Sequence, residues 1–197
     1  MYVSIRNTGG RALRVSTVKL DIGREGVSVG TFPAQNYFEQ PSSKSSVLFV
    51  PFDIKPGDSW AHTMTFLNIF DRATEKLYRQ SSSALREDVR KKIAERDTNA
   101  KEGDKKEAVI GEPSLVEPFL DLHSRLFVWA PGEYAMTLQV STDGSSSTYS
   151  RKYRFTLYES DTDELRSYVD SYKFGAGIFY TDDKQVGVFV PISAQRD

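Results

Sequence analysis

Alternation of apolar and polar residues dominates this chain. From Glu133 to Thr142, Tyr134, Met136, Leu138 and Val140 keep one phase, while Thr137 and Gln139 keep the other. A period of two sends successive side chains to opposite faces, so the segment predicts a half-buried β-strand. Related patterns predict strands over Tyr2 to Arg6, Ala12 to Ile22, Val47 to Phe52, Ser59 to Leu67, Leu122 to Trp129 and Tyr149 to Tyr158. In Ala12 to Ile22 the phase slips, with Leu13 and Val15 on one register and Val18, Leu20 and Ile22 on the other. A slip of one residue predicts a β-bulge near Ser16-Thr17. Gly26 to Gly30 predicts a short edge strand, and Thr31 to Ser46 a polar loop. Asn7-Thr8-Gly9-Gly10, Lys55-Pro56-Gly57-Asp58 and Asp143-Gly144-Ser145-Ser146 predict turns, because Asn and Gly tolerate positive φ and Pro presets the negative φ of about −65° that opens a turn.

Two stretches change period. Leu85, Val89 and Ile93 recur every four residues, and Glu87/Lys91 and Asp88/Lys92 form i,i+4 pairs of favourable orientation. These predict a helix from Ser83 to Arg96, followed by a solvated linker from Thr98 to Lys106. Further on, Ser160 with Asp163 resembles a capping box, and Leu165, Tyr168, Val169 and Tyr172 share a helical face. A helix from Ser160 to Tyr172 is therefore expected. A terminal hairpin, Gly177 to Tyr180 and Val186 to Ile192, turning at Asp182-Asp183-Lys184, completes the reading.

Several of these segments together resemble bacterial immunoglobulin-like domains. The residues that carry the resemblance are Val3 to Gly10, Leu13 to Leu20, Lys55-Pro56-Gly57-Asp58-Ser59-Trp60, and Pro131-Gly132-Glu133-Tyr134-x-Met136. The resemblance implies an antiparallel β-sandwich whose strand A is missing or supplied by the extension, with a helical insertion between strands E and F and a C-terminal helix plus β-hairpin extension. It implies one domain over residues 1–197, with the insertion at 69–118 and the extension at 159–197. Trp60 is then a structural residue, and Tyr134 the tyrosine of a corner at the start of strand F. Met136 stands at the position that antibody domains give to cysteine. A thioether fills such a space with apolar contacts instead of a disulfide.

Composition narrows the chemistry. There is no cysteine, which removes disulfides, thiolate nucleophiles and Cys-ligated metals. A net charge of −1 gives no global field toward nucleic acid or anionic lipid. No apolar run approaches the roughly 18–20 residues needed to cross a bilayer. The two histidines, His62 and His123, lie far apart in sequence. His62 shares the phase of Trp60, Met64 and Phe66 and reads as a semi-buried strand residue. His123 two residues from Asp121 reads as structural. The acids at Asp161-x-Asp163-Glu164 and Asp182-Asp183 lack the glycine and terminal glutamate of a calcium loop. Tyr149, Tyr153 and Phe155 with Arg151, Lys152 and Arg154 read as an ordinary sheet strand. Neither a catalytic constellation nor a metal or cofactor site emerges.

The expected function is therefore a non-enzymatic binding or scaffold module with a protein partner, in an extracytoplasmic bacterial setting, the cytoplasm being the alternative. Contact with a membrane is expected only through a segment upstream of Met1, and nucleic acid is not expected as a partner. The expected contact residues are Arg86, Arg90, Lys91 and Lys92 on the insertion helix, whose removal is expected to leave the fold intact. The alternative function is a carbohydrate-binding or hydrolytic β-sandwich using Phe32, Tyr37 and Phe38 beside Glu39.

Overall fold

A computed structural model of the chain describes residues 1–100, 107–143, 148–179 and 187–195. The expected turn at Asp182-Asp183-Lys184, most of the linker before Ala108, and the glycine-serine part of the turn after Asp143 lie outside the described residues. The chain forms two compact units. The first holds Met1–Ile69, Gly132–Thr156 and Val190–Asp197; the second holds Phe70–Pro131 and Leu157–Phe189.

The first unit is a curled, half-barrel antiparallel sheet. Its strands are β1 (Tyr2–Arg6), β2 (Leu13–Arg24), β3 (Val27–Phe38), β4 (Val47–Leu48), β5 (Phe52–Ile54), β6 (Ser59–Phe66), β7 (Gly132–Thr142), β8 (Thr148–Leu157) and β9 (Ser193–Ala194). The order is β1-β6-β3-β2-β7-β8-β9, with β4 also beside β3 and β5 also beside β2. The expected bulge is present: the β2–β7 register shifts between Val15 and Thr17. The extra residue returns the later apolar residues to the face of the earlier ones. Val15 and Val18 therefore enter one core with Val3, Ile54, Met64 and Val140.

The region from Thr31 to Phe38 is strand, not polar loop. Residues 27–33 of β3 pair with β2, and residues 34–38 pair with β6, with a register shift between Ala34 and Asn36. A strand that changes partners obeys a different phase in each half, so no single alternation runs through it. Between Val47 and Ile54 the chain likewise makes two short strands, one on β3 and one on β2.

The second unit is helical: α1 (Arg72–Asn99), α2 (Pro113–Leu126), α3 (Glu159–Ser167) and a 3-10 helix (Tyr168–Phe174). Helix α1 starts eleven residues earlier than its apolar stripe suggests, because the Asp71 carboxylate accepts the Thr74 N–H at 2.7 Å and caps it. The expected strand from Leu122 to Trp129 is replaced by α2 and an irregular tail. Pro113 sits at its start, where the missing N–H costs nothing, and Val116, Phe119 and Leu122 bury one face. The cap of α3 lies two residues before the expected one, with Asp161 accepting the Tyr158 N–H at 2.9 Å. Residues 187–192 form no strand; β9 pairs Ala194 with Tyr153 and Ser193 with Arg154.

Leu85 and Val89 of α1 pack with Val116, Phe119 and Ile178 into a buried cluster flanked by Tyr78, Ile93 and Tyr172. The insertion helix is thus core to its own unit, and its removal would expose that cluster. Gly111 marks the tightest approach. A Cβ there would lie 2.6 Å from Leu85 Cδ1, and the Gly111 N–H donates to the Lys173 carbonyl at 2.7 Å.

Candidate interaction surfaces

The four basic residues of α1 do not form a free patch. Arg86 donates through Nε and Nη2 to the Ile178 carbonyl at 3.3 and 3.0 Å, tying α1 to the turn after the 3-10 helix. Lys92 lies 3.0 Å from Asp88 and donates to the Ile110 carbonyl at 3.1 Å. Lys91 stands 4.0 Å from Glu95. Arg90 is exposed. Burial pushes the Asp88 carboxyl up, but the Glu112 N–H at 2.9 Å and the Lys92 ammonium outweigh it and hold it below the usual carboxylate range. Three of the four cations are therefore engaged within the helical unit.

The histidines serve structure. His62 Nδ1 is 3.2 Å from both the Phe38 and Glu39 carbonyls, so it donates to them and holds the end of β3. Its ring lies 4.6 Å from Trp60 and 5.0 Å from Tyr37. Trp60 also stacks on Phe52 at 4.6 Å, which fills the space between these rings. On α2, Asp121 and His123 are two residues apart, about 200° around the helix, and so face different directions. His123 packs on Phe127 at 5.2 Å, and burial pulls its pKa below the ordinary imidazole value.

Phe32, Tyr37 and Phe38 are not gathered into one platform. Phe32 pairs with Leu20 and Tyr37 with Met64, with about 17 Å of strand between them. Tyr37 turns to the core cluster, and Glu39 is exposed. Asp161 is committed to the α3 cap, and Glu164 accepts the Tyr168 hydroxyl at 2.7 Å. Among the described residues no group of three His, Asp or Glu side chains is placed to hold a metal ion.

Tyr134 is 1 % exposed and stacks on Phe155 at 4.8 Å. Burial pushes its phenol pKa up, while the Arg24 guanidinium and a hydrogen bond with it pull the other way. Met136 is buried opposite Ile22, whereas the β7 residues in the core cluster of Val3 and Met64 are Val140 and, at its edge, Leu138.

The surface that the residue pattern reads as an ordinary sheet strand is the start of β8. Phe155 faces inward against Tyr134, but the same face continues through half-buried Tyr153 to exposed Arg151 and Tyr149. Tyr149 is 58 % exposed. Lys152 and Arg154, exposed, stand on the other face. Arg151 lies 6.0 Å over the Tyr153 ring, and Arg154 reaches the Gln195 amide. No salt bridge engages Arg151, Lys152 or Arg154 among the described residues. The alternation was legible; what it hid is that the inward phase runs off the end of the core. In the helical unit, an opening of about 540 Å³ lies between Leu77 of α1 and Ser114, Glu117, Asp121 and Arg125 of α2, but its lining mixes both charges.

No family model, no curated protein and no solved structure matches this chain. Among the described residues no helix is long and apolar enough to cross a membrane.

Proposed function

We propose that this chain is a non-enzymatic binding or scaffold module built on an immunoglobulin-like β-sandwich, with a protein as its partner. The observation that carries the fold part is the set of strand pairings. If β1, β2, β6, β7 and β8 stand for strands B, C, E, F and G, the first half of β3 for C′ and its second half for D, then B–E, D–E, C–C′, C–F and F–G neighbours are all present. Strand A is missing or supplied by the C-terminal extension, whose β9 lies beside β8, and the helical unit enters between E and F and again after G. Tyr134 then opens strand F, as the resemblance implies. An extracytoplasmic setting follows from the likeness to bacterial modules of this kind and belongs to the same proposal.

Modules of this architecture present side chains on edges and loops held by a rigid sheet. Exposed Tyr2, Leu48, Val50 and Tyr149 lie at such places in the first unit. The test is a photo-crosslinking residue placed in turn at positions 2, 50 and 149 of the chain expressed in its native cells. A discrete protein adduct at one or more positions, competed by the unlabelled chain, supports the proposal. No adduct at any of them, together with turnover of a glycan or ester substrate by the purified chain, would replace it with the hydrolytic reading.

A further inference from the structure

We infer that the first half of β8, Tyr149 to Arg154, is a docking strip for an acidic, extended protein segment; this rests on the binding-module reading and names the partner's chemistry. The chain as a whole carries 26 basic and 27 acidic residues, and most of its cations have acids close in sequence. From Thr148 to Tyr158 there is no acid at all, while Arg151, Lys152 and Arg154 fall within four residues. All three are exposed, and no salt bridge engages them among the described residues. Arg151 stands on the face of Tyr149 and Tyr153, and Lys152 and Arg154 stand about 7 Å apart on the opposite face, so a partner that wraps this strand meets cations that need not first break an ion pair with another described residue.

Spacing and residue type favour a protein over a nucleic acid. Tyr149, Arg151 and Tyr153 repeat every second residue on one face, at about 7 Å, which is the spacing of alternate side chains in an extended peptide. Carboxylates at every second position of such a peptide meet Arg151, and apolar or hydroxyl groups beside them meet the two tyrosine rings. Tyr and Arg are also the residue types that dominate binding energy at protein interfaces. A single strand of nucleic acid needs a basic track over several nucleotides, and three cations in a chain of net charge −1 do not supply it. The Arg151 guanidinium already lies against the Tyr153 ring, so its planar donors are partly oriented before any partner arrives.

The full chain can be titrated with three fluorescein-labelled probes: a ten-residue peptide alternating glutamate and serine, its glutamine counterpart, and a fifteen-nucleotide oligothymidylate. The glutamate peptide is expected to bind at least about tenfold more tightly than the glutamine peptide, and to weaken as salt rises. Arg151→Glu with Lys152→Glu is expected to weaken it at least about tenfold at unchanged Tm, and the milder Arg151→Gln with Lys152→Gln to weaken it less. Equal binding of the two peptides, or no effect of either double variant, would overturn the inference. Tighter binding of the oligothymidylate would also overturn it, with nucleic acid as the partner. If the peptide fails while crosslinks form at position 2 or 50, the docking strip is wrong and the binding-module reading stands.

Discussion

Asn7 shows how much one side chain decides. It is 5 % exposed, donates through Nδ2 to the Arg11 and Ile54 carbonyls at 2.7 and 2.9 Å, and accepts the Gly9 N–H at 2.9 Å. Its own backbone receives the Gly57 N–H and donates to the Asp58 carbonyl. The two turns that stand out in the sequence, one at Asn7 and one at Lys55, are therefore two halves of one hydrogen-bonded knot. Gly57 takes φ +84° there, a conformation that side chains resist. Asn7→Ala strands two carbonyls and is expected to cost about 2–3 kcal/mol in urea unfolding. Asn7→Asp should be as damaging, since it turns an acceptor toward those carbonyls. Ser82 is the opposite case, a buried hydroxyl inside a helix with no hydrogen-bond partner among the described residues. Ser82→Ala is expected to stabilise the chain by about 0.5–1 kcal/mol, seen as a rise in Tm.

At the scale of elements, the helical unit depends on α1 fitting closely around Gly111. Gly111→Ala forces Leu85 or the Lys173 loop aside and is expected to destabilise by about 1–3 kcal/mol, measured by calorimetry. Leu85→Ala, at a fully buried site, is expected to cost about 2–5 kcal/mol. The Asp88 carboxyl, held below its ordinary range, links α1 to the start of α2 through the Glu112 N–H. A carboxyl whose pKa is depressed by folding stabilises above its unfolded value of about 4 and loses that contribution as pH falls through the folded one. Acid unfolding below about pH 4 should therefore be shallower in Asp88→Asn than in the parent chain. His123 works on a higher limb: burial favours its neutral ring, so its NMR titration midpoint is expected below that of a free histidine.

At the scale of the whole molecule, strands with one constant environment were legible in the residue pattern. β1, β2 with its bulge, β6 and β7 each keep one face to a core for most of their length, and β8 does so from Tyr153 onward, so period two survives in their residues. β3 was not legible, because its partner changes from β2 to β6 along its length. Nor was α2, since Val116, Phe119 and Leu122 find a helical face only once α1 and the segment ending at Ile178 are there to cover it. The candidate site divides in the same way. The basic and aromatic residues of β8 are plain in the sequence, and so are those of α1. Which set is free depends on the carbonyl of Ile178 for Arg86, on that of Ile110 for Lys92, and on where the inner phase of β8 leaves the core. Local spacing by itself determined the strand grammar, the bulge and the turn chemistry of this protein, because those follow from φ, ψ and alternation. Tertiary structure alone decided that the insertion helix is a core element and that the three cations of β8 stand exposed while Arg86 and Lys92 are engaged, because burial and charge pairing are set by neighbours distant in sequence.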